Sequence, residues 1–158
     1  MQHSIKVGLS FGLASGVITT LGLMVGLNAG TSSKMVVLGG ILTIAIADSM
    51  SDAMGIHMSE ESENVHTTKE IWISTMTTFI AKFIFALSFV IPVLLFELQT
   101  AIIVSIIWGF FLIIASTIYH SRKHKHAIVP QVLEHVIVAV IVLVATQLVG
   151  QGIAQYFG

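Results

Sequence analysis

The chain has 158 residues, of which 55% are apolar and only 9% charged. Soluble domains carry roughly 25% charged residues, so this chain cannot cover a water-facing surface and the bilayer is its natural solvent. A formal net charge of −1 argues against a nucleic-acid partner, and the lack of cysteine excludes disulfides and thiolate metal sites.

A hydrocarbon core about 30 Å thick needs about 20 apolar residues in a helix. Residues 7–27, 35–58, 71–96, 98–119 and 128–157 meet that length. They predict an all-α polytopic membrane protein with five transmembrane helices and a single domain over residues 1–158. No alternating apolar and polar segments of the kind a β-barrel needs are present.

The first span, whose apolar run is too long for a signal-peptide core, places Gly8, Gly12 and Gly16 four apart, with Ser15 and Thr19 among them. Small-xxx-small spacing lets helix backbones approach closely, and exposed hydroxyls and carbonyls can line a polar path. The second span carries Asp48 and Asp52, also four apart and therefore on one helical face. Met54, His57 and Met58 follow toward its end. The loop after it, residues 59–70, is acidic, and Glu60, Glu61, Glu63 and His66 are expected to collect cations before entry.

Lys82 lies inside the third span, and Pro92 with Glu97 and Gln99 marks the turn into the fourth. After the fourth span comes a basic run, Arg122-Lys123-His124-Lys125-His126, which reads as a topology signal and a lipid head-group contact. The fifth span opens on Gln131, Glu134 and His135. Lysine and arginine are one-sided. Lys6, Lys69, Arg122, Lys123 and Lys125 fall at one end of five spans and only Lys34 at the other. A cytoplasmic N-terminus and an outside C-terminus follow.

Ionisable groups within spans are costly and are functional suspects by default. At 1.5 Å per residue, Asp48 and Lys82 both lie roughly 15 Å in from the cytoplasmic end, which suggests an ion pair. Asp52 and Glu134 are shallower, and with Gln131 and His57 they suggest a second cluster at the cytoplasmic mouth. Two carboxylates, an imidazole and nearby thioethers suit a divalent transition metal.

The segments Phe11-Gly12-Leu13-Ala14-Ser15-Gly16-Val17-Ile18-Thr19-Thr20, Ala47-Asp48-Ser49-Met50-Ser51 through Gly55, and Met58-Ser59-Glu60-Glu61-Ser62-Glu63 resemble the vacuolar iron transporter family over the first two spans. The resemblance implies a five-helix subunit that forms a homodimer, with the ion path between two first spans. It also implies exchange of iron or manganese for protons, out of the cytoplasm. Ser15 stands at the family's first-span aspartate, Asp52 at a family methionine and Ile56 at a family acidic position. The family's carboxylate-rich cytoplasmic domain is replaced by residues 59–70 alone.

The expectation is therefore a transporter in the plasma membrane, not an enzyme. Fe2+ or Mn2+ would be its substrate, with no permanently bound cofactor, and the lipid bilayer and a second copy would be its partners. Asp48, Asp52, Glu134, His57, Met54, Ser15 and Thr19 would form the ion path, with Lys82 as charge compensation. Gly8, Gly12 and Gly16 would form the dimer contact. The alternative is a non-transporting membrane scaffold or subunit whose charges are structural pairs. An intramembrane aspartyl hydrolase fits poorly, because Asp48 and Asp52 share one helix.

Overall fold

Six helices follow one another: α1 (Gln2–Thr31), α2 (Lys34–Ser62), α3 (Thr68–Ser88), α4 (Val90–Leu95), α5 (Leu98–His124) and α6 (Ile128–Phe157). They are seen in a computed structural model that describes residues 2–124 and 127–157; Lys125 and His126 of the basic run lie outside the described residues. Five crossings are long and apolar enough to span a membrane, with α3 and α4 together making one of them over Thr68–Leu95. The chain is built as an integral membrane protein.

The connections are short and use local chemistry. Ser32 and Asn64 take left-handed backbone, with φ of 49° and 54°, to reverse the chain after α1 and α2. Ser33 caps α2 by accepting from Val36 N–H, and Thr67 and Glu70 form a reciprocal capping box that starts α3. The third crossing breaks at Phe89. Pro92 has no N–H for the carbonyl of Ser88 and its ring crowds that carbonyl, so the helix ends there and restarts as α4. At that break Trp108 Nε1 donates to Ser88 Oγ at 3.1 Å. The turn itself falls at Phe96, whose carbonyl accepts from Lys34 Nζ at 2.9 Å.

α1 is the hub. It packs against α2, α3, α5 and α6, while α6 touches α1 and α5 and α4 touches α2, α3 and α5. In its most apolar stretch α1 is 44% buried and α6 only 6%, so α6 lies at the rim. The apolar core gathers on α1 at Val17, Leu21, Met24 and Val25, against Val37 and Ile41 of α2, Phe89, Val93 of α4 and Ala101 of α5.

Glycine decides how closely α1 meets its neighbours. A Cβ on Gly8 would stand 2.7 Å from the Ser74 carbonyl oxygen, and one on Gly12 2.8 Å from the Thr78 carbonyl oxygen. The Gly8/Gly12/Gly16 ridge is therefore filled by α3 of the same chain. This corrects the expectation that it faces its copy in a dimer: the ridge is a backbone-to-backbone contact that leaves no room for a second occupant. Farther along, Gly22 and Gly26 seat α6 through Val142 and Thr146, and a Cβ on Gly150 would stand 2.2 Å from the Gly26 carbonyl oxygen.

Candidate functional site

The intramembrane charges meet in one centre where α1, α2 and α3 touch. Asp48 and Asp52 project from one face of α2, and Ser15 and Thr19, also four apart, project from α1 toward them. Lys82 reaches both acids from α3. Its stem crosses α1 at Gly16, where a Cβ would stand 3.1 Å from Lys82 Cγ. Any side chain there would crowd the lysine. The close glycine contact therefore brings the ammonium to the acids.

Lys82 Nζ lies 2.5 Å from Asp48 Oδ2 and is also in contact with Asp52 Oδ2. It donates to Ser15 Oγ at 2.9 Å. An ammonium has three donors and all three are matched here. Ser15 Oγ in turn donates to Asp52 Oδ2 at 2.6 Å, and Thr19 Oγ1 lies 2.9 Å from Asp48 Oδ2 and 2.8 Å from the Ser15 carbonyl oxygen. Lys82 is 1% exposed, whereas the Asp48 and Asp52 side chains are 27% and 22% exposed.

Two consequences follow. One ammonium against two carboxylates leaves the centre one positive charge short of neutrality when all three are ionised. In addition, each aspartate spends only Oδ2 on these contacts, and neither Oδ1 has a hydrogen bond among the described residues. Asp48 also ends a groove of about 530 Å3 that runs between α1 and α2 from Val36 past Gly40 and Thr43. Asp48 is thus reached from the Lys34 end of α2.

The expected Asp48–Lys82 pair is present. Asp52 belongs to the same pair and not to a second cluster, because the antiparallel register of α2 and α3 brings both acids within reach of one flexible ammonium. Glu134 is exposed on α6, which packs against α1 and α5 and not against α2, so it does not meet Asp52. Met54 is 53% exposed and falls in a stripe with Met50 and Met58 on the outer face of α2, away from the acids. His57 donates or accepts through Nδ1 to Thr75 Oγ1 at 3.0 Å and packs edge-on against Trp72. It ties α2 to α3 outside the centre. No group of three or more His, Asp or Glu able to hold a metal is found among the described residues.

The acidic loop also divides. Glu61 and Glu63 are exposed, and Glu63 lies 3.5 Å from His66, which stacks on His3. Glu60 is instead 6% exposed and accepts from Ser74 Oγ at 2.7 Å. It is a buried contact between α2 and α3, not a surface collector of cations. Ser74, Thr78 and Lys82 form a polar stripe four residues apart on α3, all nearly fully buried. Sequence reasoning missed the first two of these. Their spacing matches that of Gly8, Gly12 and Gly16, and that was the available signal. Against protein families, curated proteins and solved structures, the chain has no match.

Proposed function

We propose that the chain is a membrane transporter of divalent cations in which Lys82 and the cargo compete for the carboxylates of Asp48 and Asp52. The observation that supports it most is the charge imbalance of the centre: two in-span carboxylates, one ammonium, and on each carboxylate one oxygen with no hydrogen bond among the described residues, with Asp48 at the end of a groove. A carboxylate and hydroxyl oxygen set suits harder ions, so within the expected substrates manganese is favoured over iron. Cargo arriving at the Oδ1 atoms displaces the ammonium, and its departure lets Lys82 return. Ser15 and Thr19 hold the carboxylates in place through either exchange. The plasma membrane, a cytoplasmic N-terminus, export with proton exchange, and a homodimer formed through a face other than the glycine ridge complete this reading. A reporter fused after Gly158 is expected to lie outside.

The decisive variant is Asp52→Asn, which keeps shape and removes one charge. In reconstituted vesicles it is expected to abolish Mn2+ uptake, while the chain still folds and elutes as the wild type does. Unchanged uptake would remove Asp52 from the path.

The second reading is a scaffold whose charges only clamp three helices. The full use of all three ammonium donors favours it, as does the finding of no three-ligand group among the described residues. Wild-type vesicles that take up no ion from a divalent panel would leave it as the better account.

A further inference from the structure

On the side of α1 that faces α5 and α6, a cavity of about 380 Å3 opens between the three helices. That is the small end of the range for ligand pockets, with room for a single tail and a compact head. Its origin is the uneven packing of α1 on α6. In the half nearer Lys34, Gly22 and Gly26 let α6 close on α1 through Val142 and Thr146. In the half nearer Lys6 the glycines are turned to α3, and α1 offers Phe11, Ala14 and Ile18 to the cavity instead.

The wall is apolar at one level and polar at another. Phe11 and Ala14 lie roughly 14 and 18 Å along α1 from Gln2, which is hydrocarbon depth. Ile113 of α5 joins them. Gln131 and His135 lie roughly 5 and 10 Å along α6 from Ile128, near the interface. An occupant is therefore an amphiphile, with its tail inward and its head at the start of α6.

The hydrogen bonds of the polar wall select the head. Thr117 Oγ1 gives its one proton to the Ile113 carbonyl at 2.7 Å, so its 2.8 Å contact with His135 Nδ1 has the ring nitrogen as donor. In the neutral ring Nε2 is then an acceptor, and it has no partner among the described residues. Ser121 Oγ gives its proton to the Thr117 carbonyl at 2.7 Å. Its contact with Gln131 is therefore completed by the amide NH2, and the amide oxygen is left over. Ser116 Oγ donates to the Ile113 carbonyl at 2.9 Å and keeps its lone pairs. The wall thus presents acceptors at His135, Gln131 and Ser116, while Ser10 can turn its hydroxyl either way. No Lys, Arg, Asp or Glu lines the cavity.

An acceptor wall repels a carboxylate or phosphate head, which brings only further acceptors. It offers a quaternary ammonium no hydrogen bond. A primary ammonium matches it, because each N–H finds a lone pair and the positive charge strengthens every such bond where water is scarce. We infer that this cavity is a binding site for a cationic amphiphile. Its primary ammonium head is held at His135, Gln131 and Ser116, and its single alkyl tail lies against Ala14 and Ile113.

The test uses the purified full chain in phosphatidylcholine vesicles, with dodecylamine that carries a diazirine at the end of its tail. Illumination is expected to crosslink it at peptides holding Ala14 and Ile113. Unlabelled dodecylamine should suppress those crosslinks at roughly ten-fold lower membrane concentration than dodecyltrimethylammonium or dodecanol, the difference made by one hydrogen bond from a charged group. This series needs no variant to fold. His135→Leu should narrow the difference between the heads, and Ala14→Trp, which fills the apolar end, should abolish the crosslinks. Crosslinks spread evenly over the spans, equal suppression by the three heads, or suppression by dodecanoate at the concentration of the amine would each overturn the assignment. So would full suppression by methylamine at that concentration, which would mark an ammonium site without a tail.

Discussion

Lys82→Met is expected to leave a protein that folds poorly in metal-free buffer and is restored by Mn2+. Methionine keeps the length and apolar stem of the lysine and removes only the ammonium. Asp48 Oδ2 and Asp52 Oδ2 then face one another with no cation between them. Breaking a buried pair by removing one partner costs roughly 3 kcal/mol, at the lower end of its range here because both acids are partly exposed. If the cargo is the ammonium's competitor, a divalent ion takes the vacated place between the carboxylates. Stabilisation then follows the ligand concentration, about 2.7 kcal/mol at 100 times Kd. Thermal unfolding of the variant across a Mn2+ series checks this, with Ca2+ and Zn2+ alongside. Destabilisation that no divalent ion relieves would mean that Lys82 is only a clamp, and the scaffold reading would prevail. Because the wild-type ammonium must first be displaced from the two carboxylates, apparent Mn2+ affinity should be weaker in the wild type than in the variant.

The second large effect is expected at Gly12. A Cβ there would stand 2.8 Å from the Thr78 carbonyl oxygen and 2.9 Å from Ala81 Cβ, both on a helix backbone or its first side-chain atom. Neither can swing away, so Gly12→Leu must push α1 from α3. Overpacking of a close contact costs typically 1–3 kcal/mol, and this one also stretches the Lys82–Ser15 hydrogen bond one turn away. The variant should lose thermal stability and Mn2+ uptake together. Gly55→Leu is the control: nothing lies within 4 Å of a Cβ there, and an exposed substitution should stay within about 0.5 kcal/mol. A Gly12→Leu protein with wild-type stability, altered only in its oligomeric state, would restore the glycine ridge to a subunit interface.

Much of the architecture is legible in the residues themselves. Span number follows from the length of apolar runs, because the bilayer sets a minimum length that composition alone can meet. The suspicion falling on Asp48, Asp52 and Lys82 follows in the same way, since charge inside a span has a cost whatever its neighbours are. The spacing of four between the acids, between Ser15 and Thr19, and between the glycines determines which side chains share a face, because helical periodicity is local.

What those faces meet is not local, and only the tertiary structure decided it. Glu134 and Asp52 lie at similar depth, yet α1 stands between their helices. Depth along a helix is a sum of rises, while adjacency depends on how five helices are arranged around one another. The glycine ridge is equally suited to α3 or to a second copy, and the contact with Ser74 and Thr78 shows it taken by α3. Glu60 reads as part of an acidic loop, but α2 continues through it and turns it inward onto Ser74. The joining of Asp48 and Asp52 at a single ammonium depends on the register of α2 against α3, which pack directly and are tied by His57–Thr75 and Glu60–Ser74. Sequence alone nominated the charged residues of this centre; which of them touch was left to packing.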